Sequence, residues 1–203
     1  MVKLTFEDLA LATSEDNRSA FNMLYQVYYN KIFRFAYYFL RDKEACRDVV
    51  LDVFLSIWQS RKKLKDITNL EAYFYIITKN EAARYLNKQQ EYNQIVLNDL
   101  SIQLKDQVET PPDQKLIEKE IEQLLTEIIN ELPEKCRIIF LMARQEGLKP
   151  KEIGEILSLS ESTIRVQMKI AIEKIVAKIR PHFPDLTLTA LLTLLIEIYQ
   201  DIY

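Results

Sequence analysis

Glycine is nearly absent from this chain: Gly147 and Gly154 are the only two in 203 residues. So few argue against hairpin-rich β folds, whose tight turns need positive φ, and against a glycine-rich loop that cradles phosphate. Histidine is rarer still. His182 stands alone beside prolines near the end, which leaves no material for a histidine-based triad or a histidine-rich metal site. The two cysteines, Cys46 and Cys136, lie far apart in helical patterns without metal-ligand spacing. They read as reduced structural thiols of a cytoplasmic protein. No apolar run reaches the roughly 18 residues of a membrane span. The opening stretch, 1–12, carries acids and no cleavage pattern, so no signal peptide is expected. The carboxylates are scattered and form no catalytic constellation. Neither enzyme activity, metal nor cofactor is expected.

What is there is a soluble globular composition, 48% hydrophobic and 28% charged. The net charge of −3 hides an uneven distribution. Residues 1–90 hold 14 basic and 11 acidic side chains, and residues 91–133 hold 3 against 10. Residues 134–180 return to 10 basic and 6 acidic, and the last stretch carries 3 acids and no base. Two mildly basic blocks therefore flank an acidic connector. A protein that binds DNA unaided usually has a stronger basic footprint, so nucleic-acid binding here needs a partner's help.

The apolar period is helical throughout, and the predicted fold is all-α: two small helical domains joined by a linker. Phe21, Leu24, Tyr25, Tyr28, Ile32, Phe35, Ala36, Phe39 and Leu40 mark one face of a long helix. Arg41 and Asp42 interrupt it. A second helix, about 43–61, buries Cys46, Val49, Val50, Val53 and Ile57, and 61–69 reads as a lysine-rich loop. Thr68 and Glu71 have capping-box spacing for a third helix, roughly 70–90. Residues 91–112 are polar, end in Glu-Thr-Pro-Pro, and read as an acidic linker. Asp113 is placed to cap a helix striped by Ile117, Ile121, Leu124, Ile128 and Leu132, and Pro133 to start another that stops near Gly147. The expected division is 1–90, 91–112, 113–180, and a tail over 181–203.

Residues 149–178 have the layout of a helix-turn-helix. A short helix from Pro150 carries Ile153, Gly154 and Leu157, and a turn carries Leu159. A helix over 161–179, capped by Ser160, buries Ile164, Met168, Ala171 and Ile175. Gly154 suits a close helix crossing. Ser162, Arg165, Val166, Lys169 and Glu173 share the opposite face, where such residues reach base edges and phosphates in a major groove. Ser162 and Thr163 add hydroxyls at a helix start suited to phosphate. Lys149 stands where Ser or Thr caps better. An ordinary helical hairpin with a solvated face would share much of this pattern.

Asp48, Leu51, Asp52, Leu55 and Gln59 project together, opposite the valine stripe of the second helix. Two leucines flanked by aspartates suit a protein partner offering basic and apolar groups, unless they pack beneath another part of this chain. On the next helix Asn80, Arg84 and Asn87 share one side, with Lys79 and Lys88 at its edges. Upstream lie Lys63 and Lys65 with the aromatics Trp58, Tyr73, Phe74 and Tyr75. Basic groups interleaved with aromatics suit opened or single-stranded DNA; a solvated basic face over core aromatics is the plainer version.

Taken in order, AFNMLYQVYYNKIFRFAYYFL, DVVLDVFLSIW, LEAYFYIITKNEAARYLNK and INELPEKCRIIFLMARQEGLKPKEIGEILSLSESTIRVQMKIAIEKI resemble the extracytoplasmic-function (ECF) sigma factors of the sigma-70 family, over about residues 17–178. The resemblance implies a factor that binds core RNA polymerase and promoter DNA. Asp48, Leu51, Asp52 and Leu55 would grip the clamp coiled coil of the polymerase β′ subunit. The loop with Lys63 and Lys65 and the helix bearing Lys79, Asn80, Arg84, Asn87 and Lys88 would open and read the minus-ten element. Ser162, Thr163, Arg165, Val166 and Lys169 would read the minus-thirty-five element, and the β flap would be a further contact on the polymerase. The family often has Gln at Leu51, Asp at Arg84, Arg at Asn87 and Trp at Tyr73. The tail is outside the resemblance. Its Leu188, Leu191, Leu192, Leu195, Tyr199 and Ile202 form one stripe that either packs on its own domain or docks a regulator such as an anti-sigma factor. The competing readings are a helix-turn-helix regulator that binds duplex DNA alone and a sigma-like module that binds polymerase without reading DNA.

Overall fold

A computed structural model describes residues 6–96 and 124–181, and among these there is no strand. The described residues divide into two compact units. One comprises 6–87 with 148–161, and the other 88–96, 124–147 and 162–181.

In the first unit α1 (Phe6–Ser14), α2 (Arg18–Leu40), α3 (Lys43–Gln59), a 3₁₀ turn (Arg61–Asp66) and α4 (Leu70–Val96), as far as Asn87, follow in order. Asn17 caps α2 by accepting from the Ala20 N–H at 3.1 Å. The interruption expected at Arg41–Asp42 has a simple anatomy. Arg41 takes a left-handed conformation (φ 56°), which ends α2, and Asp42 accepts from the Ala45 N–H at 2.8 Å, which starts α3. The core is aromatic and β-branched. Leu24, Ile32, Ala36, Cys46, Val49, Val50, Val53 and Ile57 are fully buried. The Phe35 and Tyr75 rings lie 4.4 Å apart and Tyr28 meets Phe74 at 4.6 Å. Such pairs add about 0.5–1.5 kcal/mol beyond the area they bury.

Helix α1 is an addition to the expected elements; its Leu9 and Ala10 join the core while Phe6 and Leu11 stay exposed. The stretch read as a loop is a 3₁₀ turn pinned by the buried Leu64. It is too short for an apolar period to show. The cap of α4 is Asn69, not Thr68: Asn69 Oδ1 accepts from the Ala72 N–H at 2.9 Å. This moves Glu71 off the reciprocal position, and it accepts instead from Lys31 Nζ at 2.8 Å and Tyr75 OH at 3.1 Å. Finally α4 runs on to Val96, six residues into the expected linker.

The second unit contains a helix over 124–130 (α5), α6 (Glu134–Arg144) and most of a long helix α8 (Glu161–Ile179). Its buried residues include Leu125, Ile128, Ile129, Leu132, Ile139, Phe140, Met142, Ile164, Ala171, Ile175 and Ile179. Leu125 rather than Leu124 completes the buried stripe; with two leucines side by side, both registers fit the period and packing selects one. Cys136 Sγ donates to Gln167 Oε1 at 3.0 Å, and Lys178 pairs with Glu131. The expected cap at Asp113, Ile117 and Ile121, the rest of the connector and the tail stripe lie outside the described residues.

Between α6 and α8 the chain turns at Gly147, whose φ of +65° favours glycine, and forms α7 (Pro150–Leu157). Proline at the first helical position is preorganised. Lys149 precedes it with extended backbone, and Glu152 reaches back to accept from the Lys149 N–H at 2.8 Å. The reciprocal half of a capping box is missing, since an ammonium group has no lone pair to offer. Ile156, not Leu157, is fully buried beside Ile153, because an eight-residue helix can use either the i+3 or the i+4 partner.

Candidate protein and nucleic-acid interfaces

Helix α3 divides sharply. Val49, Val50, Val53 and Ile57 are wholly inaccessible, whereas Leu51 is 59% and Leu55 54% exposed. Asp48, Asp52 and Gln59 are exposed alongside them. The leucines thus do not pack beneath another described part of the chain. Burial first, then the negative charge of Asp48, raises the Tyr85 phenol. On the buried side the Cys46 thiol is pushed up to about 12, chiefly by burial and then by Asp42. Burial likewise raises Cys136.

Residues from α3, the 3₁₀ turn and α4 line a shallow cleft of about 430 Å³, among them Lys63, Tyr73, Asn80 and Arg84. Ser60 Oγ and Tyr73 OH lie 3.0 Å apart on its wall. Behind Arg84 sits a residue that the sequence reading passed over. Glu81 is only 6% exposed and accepts from Ser56 Oγ at 2.9 Å and Arg84 Nη1 at 2.8 Å. Its one sequence signal is the i,i+3 spacing to Arg84.

Asn80, Arg84, Asn87 and Lys88 are exposed, as are Lys63 and Lys65. Lys79 is half-buried and its Nζ donates to the Ile156 carbonyl oxygen at 2.8 Å, within the same unit. Two of the expected aromatics are not surface groups. Phe74 and Tyr75 are core residues, each 1% exposed, because residues 74 and 75 fall on the inner side of α4. Trp58 is half-buried, 4.9 Å from the Phe21 ring, with the Arg61 guanidinium 4.5 Å above it. Asp16 pairs with Arg61 and, at 2.6 Å, with Lys62. Those two cations, Lys62 first, hold its carboxyl below the usual range.

The turn between α7 and α8 depends on Gly154. A Cβ there would lie 2.7 Å from the Leu159 carbonyl oxygen, and the Leu159 N–H donates to the Gly154 carbonyl at 2.9 Å. Ser158 between them is left-handed, φ 59°. Along α8 Ile164, Ala171 and Ile175 are buried, Met168 is half-buried, and Ser162, Arg165, Val166, Lys169 and Glu173 are all exposed. Thr163 is half-buried. Lys169 Nζ lies 3.8 Å from Glu173.

Among the described residues no three His, Cys, Asp or Glu side chains are grouped to hold a metal, and no helix is long and apolar enough to cross a membrane. Comparison with known proteins gives a consistent result. The family model for Sigma-70 region 2 matches residues 24–92, and that for Sigma-70, region 4 matches residues 122–175. The ECF RNA polymerase sigma-E factor of Haemophilus influenzae is 27% identical over 187 residues, covering 88% of this chain and 97% of that protein. Its Escherichia coli K12 counterpart is 22% identical, covering 88% and 96%. Among solved structures, the Bartonella quintana sigma factor RpoE in complex with the anti-sigma factor NepR matches with a TM-score of 0.60 at 16% identity, over 79% of this chain and 96% of that one. CnrH in complex with the cytosolic domain of CnrY matches at 0.57 and 18%, over 84% and 94%. The chain belongs to the sigma-70 family, and within it to the ECF sigma factors.

Proposed function

We propose that the chain binds core RNA polymerase through the outer face of α3 and gives it promoter choice through α4 and α8. It is a transcription initiation factor without catalysis of its own, acting in the cytoplasm. The observation that carries this reading is the exposure of Leu51 and Leu55 between Asp48 and Asp52. Exposed leucines cost solvation unless a partner covers them, and the aspartates select a basic partner, here the β′ clamp coiled coil. A regulator that binds duplex DNA alone has no use for this stripe.

The division of labour follows the sequence blocks. Residues 1–90 dock on polymerase and read the minus-ten element at the Lys63–Tyr73–Asn80–Arg84 cleft. Residues 91–112 connect, and 113–180 read the minus-thirty-five element and meet the β flap. An anti-sigma factor is a further partner, a kind supported by the complex in which the Bartonella quintana relative was solved. The test is charge reversal. The full chain with Asp48→Lys and Asp52→Lys should fold normally, fail to co-purify with core polymerase, and fail to start transcription. Unchanged binding to core polymerase by a folded double variant would overturn the reading.

A further inference from the structure

Among the described residues of α8, Val166 is the one large apolar side chain left exposed, at 55%. It sits between Arg165 and Lys169 on a face otherwise made of Ser162, the two cations and Glu173. Charged neighbours satisfy acceptors and phosphates in a groove, but a valine can do neither. The major groove offers one apolar feature, the C5-methyl of thymine. Valine on a helix is held mostly in a single χ1 rotamer, so its methyl groups are presented with little entropy left to lose. Against cytosine, the same contact would strip water from the N4 amino group and return no acceptor.

We infer that Val166 is a specificity-determining residue that selects thymine, through its methyl group, at one position of the upstream promoter element. This rests on the reading of α8 as the helix that enters the groove. The test uses holoenzyme assembled from the full chain and core polymerase, on a promoter selected from a randomised duplex library. Each thymine of the upstream element is replaced in turn by deoxyuridine, which removes the methyl group and keeps every hydrogen-bonding edge. Wild-type affinity should fall about fourfold at one position, the worth of one methyl-sized contact. Val166→Ala, which favours helix and is checked by circular dichroism, should show a smaller preference for the thymine over the deoxyuridine duplex there.

Insensitivity of the wild type at every position, or an undiminished thymine preference in V166A, overturns the inference. The double variant Arg165→Ala, Lys169→Ala separates the two levels. If it loses affinity for all duplexes while deoxyuridine has no effect, only the methyl contact fails. If it binds like wild type, the assignment of α8 fails as well.

Discussion

Replacing Gly154 by alanine sets two effects against each other. Glycine inside a helix costs about 1 kcal/mol relative to alanine, so on local grounds the variant should gain stability. The turn reverses the sign. The new Cβ would sit 2.7 Å from the Leu159 carbonyl oxygen, and this obstacle is backbone, which cannot rotate aside. Relief requires the turn to move by several tenths of an ångström, against the Leu159 N–H bond to the Gly154 carbonyl and a Ser158 already held left-handed. Overpacking of this kind costs roughly 1–3 kcal/mol, and weakening one backbone hydrogen bond about 1 more. After the propensity gain, G154A should be about 1–3 kcal/mol less stable than wild type. Urea unfolding followed by circular dichroism measures this, with transcription from the selected promoter as the functional readout. A variant as stable as wild type, or more so, would refute the steric argument and show that the turn yields freely.

Removing the buried carboxylate by Glu81→Ala should cost about 1–2 kcal/mol, since Ser56 Oγ loses its acceptor and Arg84 its anchor. Glu81→Gln, which keeps an acceptor for Ser56, should cost less in the same unfolding measurement, and equal costs would count against the hydrogen bond. At alkaline pH, two buried groups act in the same direction. Burial pushes Tyr28 from 10.0 and Cys46 from 9.0 up to about 12. The folded state therefore holds protons that the unfolded chain releases, and stability complete at pH 8 should decline as pH rises from about 9 toward 12. Unfolding midpoints measured across this range should fall, and Cys46→Ala should reduce the slope at its lower end; a flat profile would contradict the assignment.

Two helices were legible from sequence for the same reason. In α3, β-branched residues at Val49, Val50, Val53 and Ile57 alternate with Asp48, Leu51, Asp52 and Leu55 at helical spacing, so the two faces separate without structural help. In α8, Ser162, Arg165, Val166 and Lys169 separate from Ile164, Ala171 and Ile175 in the same way. Short or degenerate signals were not legible. The 3₁₀ turn exposes one cue, Leu64, and α1 is brief. The choices of Ile156 over Leu157 and of Asn69 over Thr68 each lie one residue from an equally good pattern, and packing decides them. Glu81 escaped because a charged residue on a predicted polar helix reads as surface. Its burial depends on Ser56 from another helix, which no local window contains.

The pairing of Asp16 with Arg61 and Lys62 changes how the polyelectrolyte character of this protein should be counted. Four cations stand in the turn from Arg61 to Asp66, yet the single negative charge of Asp16, shared between Arg61 and Lys62, already offsets one of them. If each cation facing an opened strand displaced one condensed sodium ion, the ionic-strength exponent would be about −0.7 per phosphate neutralised. With one of the four charges offset, the turn would then contribute roughly −2.1, not the roughly −2.8 that a tally of basic letters implies. One unit of this segment's positive charge is thus already matched within the protein before any strand arrives.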